Sequence, residues 1–339
     1  MRSISQNLDS WHVADGEHLQ MKNVCVVACI GNGFVGGSLT TALSERGVRV
    51  MVYDVAMKLA PGGEDPLACN VKRSVENFVA ACENTSGFTG IFFVAVPTPM
   101  NPDGSANTTI VHSVLAELAS ARPAVKQRIA VIKSTVPPGS TDSWNKEFDK
   151  TPLRVIFNPE FLREATALED MRNQTRIVLG GPRPHINVVK QFYQMAFPTV
   201  PIVKTSSSTA EMVKYVTNVH LAVKVSLANE IWQICQALDS SGANIDYDKV
   251  IEYATLDQRL GNSHWQVPGP MPADDTGMPA FGFAGSCFIK DLNALMSLAA
   301  QIGVDPKTMR GAWQKNLEVR PQRDWEKLVG RAVSAEHTN

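Results

Sequence analysis

The sequence predicts an α/β fold, in which a doubly wound parallel sheet is followed by a helical domain with a long central helix. Three observations lead to this prediction. An apolar segment near the N-terminus runs into a glycine-rich turn, and strand and helix patterns then alternate to about residue 207. Residues 209–239 contain neither Gly nor Pro, as a long helix requires. A chain of 339 residues is long enough for two domains.

Composition narrows the classes of protein that the chain can belong to. It is 44% hydrophobic and 19% charged with a net charge of -1, which fits a globular protein with a sizeable core. Because the sequence has no basic block and no apolar run of about 20 residues, we expect neither a nucleic-acid partner nor a membrane span.

The cysteines form no C-x-x-C pair and no zinc spacing. We therefore expect no metal site and a reducing, cytoplasmic location. The apolar neighbours of Cys25 and Cys29 favour buried thiols that act as small hydrophobic side chains. The cysteines are Cys25, Cys29, Cys69, Cys82, Cys235 and Cys287.

The first predicted strand covers residues 24–30 (VCVVACI), a continuous apolar run typical of a strand buried on both faces. The sequence GNGFVG follows and precedes a helix predicted at residues 35–46. In this pattern Gly31 permits a tight turn, Gly33 lets the backbone approach a pyrophosphate, and Gly36 allows close helix–strand contact. The segment therefore predicts a Rossmann-like dinucleotide-binding turn.

The second predicted strand, VRVMVYD, ends in Asp54. A carboxylate at this place can accept hydrogen bonds from a ribose diol and would repel a 2′-phosphate. Lys58 lies nearby and weakens that repulsion slightly. We expect NAD as the cofactor.

Further strands and helices continue the alternation. Polar segments follow several of the strands, at the edge of the sheet where ligands bind in such folds. These segments are PTPMNPDGS, STVPPGS and NPEFLRE. The strands are predicted at residues 91–97, 128–135, 154–160 and 175–181 and near Pro201, with helices between them such as 109–122.

The long helix is predicted to begin a second domain. Ser208 and Glu211 have the spacing of a capping box at its start. Some thirty helical residues would extend about 45 Å, too long for an ordinary crossover, so we expect a domain spine and a dimer surface. Lys214 and Asn218 are four residues apart and share one face of this helix. On spacing alone, that face is either a solvated surface or part of a site.

The segment FGFAGSCFIKD places Cys287 among small residues, before a lysine and an aspartate. It is either a tight turn with a buried thiol or a loop that presents a nucleophile. The chain is thus predicted to divide into an arm (1–22), an NAD-binding domain (23–207), a helical dimerisation and catalytic domain (208–331) and a tail (332–339).

Several segments together resemble the UDP-glucose/GDP-mannose 6-dehydrogenase family. They occur in the family's order and cover about residues 24 to 320. We therefore expect a short form of the family, without the C-terminal nucleotide-binding domain that follows in longer members. The segments are GNGFVG, VAVPTPMNPDGS, KSTVPPGS, NPEFLREATALED, AEMVKYVTNVHLAVKVSLANE, DQRLGNSH and GFAGSCFIKDLNAL.

The resemblance implies an NAD-dependent, four-electron oxidation of the primary alcohol of a nucleotide sugar, most simply UDP-glucose, to a carboxylate. It also implies a homodimer and the roles of individual residues. The implied catalytic residues are Cys287, Lys214, Asn218, Asp291, Thr135, Glu164 and Glu160. The implied cofactor-binding residues are Gly31, Gly33, Phe34, Val35, Gly36, Asp54, Lys58, Pro97, Thr98 and Lys290. The implied substrate-binding residues are Phe161, Leu162, Arg163, Arg259, Phe281 and Gly282, of which Arg259 reaches across the dimer.

This chemistry requires a nucleophile, which the cysteine would supply. The first oxidation yields an aldehyde, which has no hydride to lose until a nucleophile adds to it. A thiolate at Cys287 would form a thiohemiacetal, and a second oxidation would give a thioester that water cleaves. Lys214 would stabilise oxyanions, and Asp291 or Glu164 would hold or deprotonate water.

The expected absence of the C-terminal nucleotide-binding domain leaves the substrate open, and smaller departures from the family pattern lie near Cys287. Ala284 stands where the family has Gly, Ile289 stands where it has Pro, and the segment GPMPADDTGMPAFGF is longer than expected. The alternatives are a dehydrogenase for another primary alcohol, a catalytically silent NAD-binding protein, and a two-electron β-hydroxyacid dehydrogenase. Only the last two would function without the cysteine.

Overall fold

The computed structural model describes residues 25–56, 74–122, 127–270 and 280–338. The predicted arm, Lys58, Cys69 and most of the long segment before Cys287 lie outside these ranges. Seven strands are described: β1 (Val26–Ile30), β2 (Arg49–Tyr53), β3 (Phe88–Val94), β4 (Arg128–Ile132), β5 (Leu153–Phe157), β6 (Ile177–Gly180) and β7 (Ile202–Thr205). The described helices are α1 (Phe34–Ser44), α2 (Val75–Glu83), α3 (Thr109–Ser120), α4 (Ser140–Glu147), α5 (Ala167–Arg172), α6 (His185–Ala196), α7 (Ser207–Ser240), α8 (Tyr247–Ala254), α9 (Cys287–Gln301) and α10 (Lys307–Val319).

The strands form one sheet in the order β2-β1-β3-β4-β5-β6-β7. The strands from β2 to β5 pair in parallel, which confirms the predicted doubly wound sheet. β6 pairs with β5 in the antiparallel sense and with β7 in parallel, so the last two strands depart from the all-parallel prediction. The strand order reverses beside β1 and β3, which is where ligands bind in this class of sheet.

Both faces of the sheet are covered by apolar side chains. Val26, Ala28 and Ile30 of β1 belong to one buried cluster, whereas Val27 and Cys29 belong to another. Since neighbouring residues of a strand point to opposite faces, this division explains why the first strand is apolar throughout.

The strands end earlier than their sequence pattern predicts. β4 ends at Ile132 and β5 at Phe157, so the polar residues 133–135 and 158–160 follow the strands. Because β1, β3, β4 and β5 are parallel, the segments after them lie at one edge of the sheet. That edge carries the predicted cofactor and catalytic segments.

The described chain divides into two compact units. The first contains the residues up to Pro97 and Thr109–Met212. The second contains Thr98–Thr108 and the chain from Val213 onward. In the second unit, the Met100 amide donates to the Ala332 carbonyl at 2.9 Å, and the Ser334 amide donates to the Met100 carbonyl at 2.8 Å. These long-range bonds, which sequence periodicity does not reveal, tie residues 98–108 to the C-terminal residues.

The long helix predicted at residues 209–239 is present as α7, which is 34 residues long, but its start differs from the predicted capping box. The helix begins at Ser207, and the hydroxyl of Ser206 accepts a hydrogen bond from the Thr209 amide. The buried Glu211 carboxylate instead accepts from the amides of Gly139 and Thr141, at 2.6 and 2.9 Å. The predicted capping role of Glu211 in α7 is therefore wrong, because its carboxylate oxygens bind backbone amides at the N-terminus of α4 instead.

The second unit is mainly helical, with two apolar clusters. One cluster joins side chains of α7, α9 and the C-terminal residues, among them Ala222, Leu292 and Trp325. The other surrounds Trp265 and Tyr247. No helix in the described ranges has the length and apolar character needed to cross a bilayer.

Candidate active site

The glycine-rich turn follows β1 at the point where the strand order reverses. Gly31 has φ +93°, and a Cβ atom there would overlap the Ala95 carbonyl that follows β3. A Cβ atom at Gly36 would overlap the Gly31 carbonyl. These two positions require glycine for close backbone contact, as the sequence pattern predicts.

Gly33 is different, because a Cβ atom there would meet no described atom within 4 Å. It is the N-cap of α1, and no side chain caps this helix end. A helix N-terminus in open space, formed by GNGFVG, suits a pyrophosphate, whose charge favours the positive end of the helix dipole. Phe34 and Val35, implied as cofactor-binding residues, form the first turn of α1.

Asp54 follows β2 and lies beside this turn. Its Oδ2 accepts from the Asn32 amide at 2.6 Å, and its Oδ1 accepts from the Ala56 amide at 2.8 Å. The carboxylate is thus fixed next to the turn, as the ribose of a dinucleotide requires. The residues present fit NAD, with the turn holding the pyrophosphate and Asp54 the adenosine ribose.

A buried polar network joins the ends of β4 and β5. Lys133 Nζ donates to Asn158 Oδ1 at 2.9 Å, and the hydroxyl of Tyr193 donates to the same oxygen at 2.6 Å. Asn158 Nδ2 donates to the Val178 carbonyl at 2.8 Å. No sequence pattern predicts this network, although Lys133 and Asn158 each lie two residues before a predicted catalytic residue, Thr135 and Glu160.

Thr135 and Glu160 are both buried at this edge of the first unit. Glu160 Oε2 accepts from the Leu162 amide at 2.7 Å, which turns the chain after Pro159. Glu164 is exposed and begins a single 3₁₀ turn, Glu164–Thr166. The structure therefore gives the two predicted catalytic glutamates different environments.

The predicted substrate-binding residues of the same segment have protein partners. The Arg163 guanidinium binds the Asp170 carboxylate with contacts of 2.6 and 3.1 Å, and this bonding lowers the pKa of Asp170 to about 2. The Phe161 ring lies under the Arg176 guanidinium, 4.0 Å from its centroid. These contacts hold the segment that follows Glu160.

In the second unit, the carboxylate of Asp291 joins α7 to α9. Asn218 Nδ2 donates to Asp291 Oδ2 at 2.5 Å, and Lys290 Nζ donates to Asp291 Oδ1 at 2.5 Å. Asn218 and Asp291 are buried. The structure thus brings Asn218 of α7 to Asp291 of α9, and it pairs Asp291 with the neighbouring Lys290.

Cys287 is the first residue of α9 and is half-buried. It precedes Asp291 by four residues, so both project from one face of the helix. Its sulfur lies 3.9 Å from the Ser286 hydroxyl. Lys214, one turn before Asn218 on α7, is also buried.

Cys29 of β1 and Cys25, which directly precedes this strand, differ from Cys287. Burial raises the pKa of the Cys25 thiol to about 11 and that of the Cys29 thiol to about 12. Few thiolates form at such values near neutral pH. The two thiols are therefore inert packing residues, as predicted.

The structure accommodates Ala284 and Ile289, the two residues near Cys287 that depart from the family pattern. The described non-glycine residues with positive φ do not include Ala284, whereas its neighbour Gly285 has φ +72°. Position 284 therefore does not need glycine. Ile289 is fully buried within α9 and packs in the apolar cluster with Leu292, so it contributes to the core.

Arg259 projects from the second unit with 89% of its side chain exposed and pairs with Asp257. The segment after it is held by Lys224 of α7, whose Nζ donates to the carbonyls of Leu260 and Gly261 at 2.9 and 3.1 Å. Burial lowers the pKa of Lys224. An exposed arginine on a fixed segment is available to a second molecule.

Comparison with known proteins gives two family matches. Residues 25–197 match the NAD binding domain of the UDP-glucose/GDP-mannose dehydrogenase family, and residues 208–318 match the central domain of the same family.

Among the described residues, no group of three or more His, Cys, Asp or Glu side chains is placed to hold a metal ion.

Individual relatives agree with these matches. A putative UDP-glucose 6-dehydrogenase of Bacillus subtilis is 31% identical over 310 residues, which are 86% of this chain and 67% of that protein. A second UDP-glucose 6-dehydrogenase of Bacillus subtilis is 30% identical over 309 residues, or 86% of this chain and 65% of that protein. This chain therefore spans about two thirds of the length of these relatives.

A solved structure is also similar. The UDP-glucose dehydrogenase of the hyperthermophilic archaeon Pyrobaculum islandicum is 29% identical, with a TM-score of 0.71. The similarity covers 91% of this chain and 70% of that one.

Substitution of Asp54 tests the cofactor site. Asp54→Asn keeps an acceptor oxygen but removes the charge, so we expect NAD binding to weaken by about 1–3 kcal/mol, roughly 5- to 150-fold. Binding of NADP should weaken less or improve, because the repulsion of its 2′-phosphate is lost. Fluorescence titration with each nucleotide measures both effects. Asp149→Asn, at an exposed position of the same unit, is the control, and an unchanged NAD-to-NADP ratio in Asp54→Asn would contradict the assignment.

Proposed function

The chain belongs to the UDP-glucose/GDP-mannose dehydrogenase family, and we propose that it oxidises the 6-hydroxyl of UDP-glucose to a carboxylate with NAD. The observation that carries this proposal is the arrangement at α9, where Cys287 lies one turn from the buried Asp291 and Asp291 binds Asn218. The names of the similar proteins supply the substrate class. A protein that only binds NAD has no use for this arrangement.

NAD, when bound, accepts a hydride in each of the two oxidations. After the first, the Cys287 sulfur adds to the aldehyde carbon, and the new C–S bond gives a thiohemiacetal. Loss of its hydride leaves a thioester, and attack by water breaks the C–S bond to release the carboxylate and the thiol. The overall reaction consumes one water, transfers two hydrides from the substrate and releases three protons.

The residues around the cysteine have separate roles in this proposal. The Lys214 ammonium stabilises the oxyanions of the tetrahedral intermediates, where a fixed positive charge acts most strongly. Asn218 positions the attacking water, and Asp291 holds it or takes its proton. In the first unit, the resemblance assigns catalytic roles to Thr135, Glu160 and Glu164. The resemblance assigns substrate contacts to Phe281 and Gly282 of the second unit and to residues 161–163 of the first.

We further propose that the active form is a homodimer. Val216, Leu227, Ile234 and Leu238 of α7 are apolar, and 43–56% of each is exposed. Their spacing of eleven, seven and four residues places them on one side of the helix, where burial against a second copy would remove them from water. Arg259 would then reach the partner's substrate.

The compartment proposed for this dimer is the cytoplasm. Cys25, Cys29 and Cys235 are free thiols. Free thiols fit a reducing environment.

The cysteine mechanism predicts the behaviour of Cys287→Ser. We expect this variant to bind NAD and UDP-glucose but to lose turnover by several orders of magnitude, because a serine hydroxyl is a much weaker nucleophile at neutral pH. A covalent ester or released aldehyde should be detectable. Intact-mass spectrometry and NADH absorbance distinguish these outcomes.

Cys25→Ser is the matched control, because it changes a buried thiol directly before β1. It should lower stability and leave the chemistry intact. If Cys287→Ser converted alcohol to acid at nearly the native rate, the covalent mechanism would be wrong.

The dimer predicts that Leu227→Glu dissociates the protein, since the charge would have to be buried in the interface. Light scattering should give twice the chain mass for the native protein and one chain mass for the variant, with a loss of activity. Val304→Glu, at another exposed apolar position of the second unit, should remain dimeric and active. A native monomer with full activity would exclude the shared site.

A further inference from the structure

Three buried polar side chains bind the backbone of residues 281–283, just before Cys287. Asn316 of α10 makes two of the bonds. Its Oδ1 accepts from the Phe283 amide at 2.7 Å, and its Nδ2 donates to the Phe283 carbonyl at 3.2 Å. A single side chain that is inaccessible to solvent therefore binds both the amide and the carbonyl of Phe283.

The two preceding residues are held by other side chains. Asn229 of α7 accepts from the Gly282 amide at 3.2 Å. Arg320, at the end of α10, donates to the Phe281 carbonyl at 3.0 Å, and Asp324 binds its guanidinium at 2.6 and 2.8 Å. Asn229 and Arg320 are both buried. Three consecutive residues are thus fixed from two helices.

Gly282 shows how little freedom this arrangement leaves. It has φ +69°, and a Cβ atom there would overlap Asn316 Oδ1 and lie 3.1 Å from Val319 Cγ2. The close approach of Asn316 to the backbone therefore depends on a glycine in the left-handed region.

The same segment contacts the helix that carries the cysteine. The Phe283 ring packs against those of Phe288 and Trp313, with centroid distances of 6.1 and 6.3 Å. Phe288 directly follows Cys287 in α9. A shift of Phe283 would therefore reach the first turn of α9.

We propose that Asn316, assisted by Asn229 and Arg320, is a positioning residue for the nucleophile. It fixes the backbone of residues 281–283, and this backbone sets the place of Cys287 and the surface that the sugar contacts. The role rests on the proposed function, in which Cys287 attacks the aldehyde. Misplacement of a reacting atom by about 1 Å costs on the order of 100-fold in rate, so such a device has a large effect on turnover.

The test compares Asn316→Ala and Asn229→Ala with the control Ser226→Ala. Ser226 is also buried and also links α7 to α10, since its hydroxyl donates to the Ala312 carbonyl at 2.7 Å, but it does not bind residues 281–283. Each variant is examined for thermal unfolding, steady-state kinetics with UDP-glucose and NAD, hydrogen exchange of the peptide covering residues 281–287, and iodoacetamide labelling of Cys287.

Asn316→Ala should lower kcat by about 10- to 100-fold while the KM for NAD is unchanged, because Asp54 and the glycine-rich turn are intact. Exchange in residues 281–287 should rise, and Cys287 should be labelled at least about threefold faster, as expected when a half-buried thiol becomes more exposed. Asn229→Ala, which loses one of the bonds, should show the same changes at smaller size. If Asn316→Ala does not fold, the measurements on Asn229→Ala test the proposal in its place.

Ser226→Ala should lose stability without any of these local changes. The proposal is overturned if the asparagine variants match Ser226→Ala in kcat, exchange and labelling. A native protein that does not reduce NAD with UDP-glucose would instead contradict the proposed function, and exchange and labelling would still decide the positioning role.

Discussion

The arrangement of the candidate site in the second unit depends on the buried carboxylate of Asp291. A buried carboxylate without partners would cost several kcal/mol, so the fold must bring it donors. Asn218 and Lys290 supply them, each at 2.5 Å. Because Asn218 belongs to α7 and Asp291 to α9, this bond fixes the helix that begins with Cys287 against the helix that carries Lys214. One electrostatic requirement thereby aligns the residues that the proposed chemistry needs.

The same physical solution recurs in the first unit, where buried polar side chains bind the segments after the strands. Glu211 accepts from the amides of Gly139 and Thr141 at the start of α4. Burial raises the pKa of Glu211, and the hydrogen bonds oppose that rise by favouring its charged form. Asn158 is bound by Lys133 in a similar way, just before Glu160. Rigid segments at the sheet edge keep reacting groups in place without reorganisation during catalysis.

The sequence alone predicted those features that have a local pattern. The apolar strands, the turn from Gly31 to Gly36, the position of Asp54 and the long helix all follow from periodicity or from a short motif. The partners of Glu211, Lys133 and Asn316 could not be predicted, since they are 70, 25 and 33 residues away and leave no spacing signal. The reversal of β6 and β7 was missed for the same reason, because apolar runs do not encode strand direction. Resemblance to a family supplied the proposed catalytic residues, and the structure adds the side chains that bind the segments around them.

The central claim is that one active site performs two successive oxidations with the help of Cys287. Its most direct test is the amount of NADH formed per UDP-glucose consumed, measured by absorbance and by product analysis with NAD in excess and the sugar nucleotide limiting. The account predicts two NADH for each UDP-glucuronate formed, with no free aldehyde. One NADH per UDP-glucose, with an aldehyde as the final product, would contradict it.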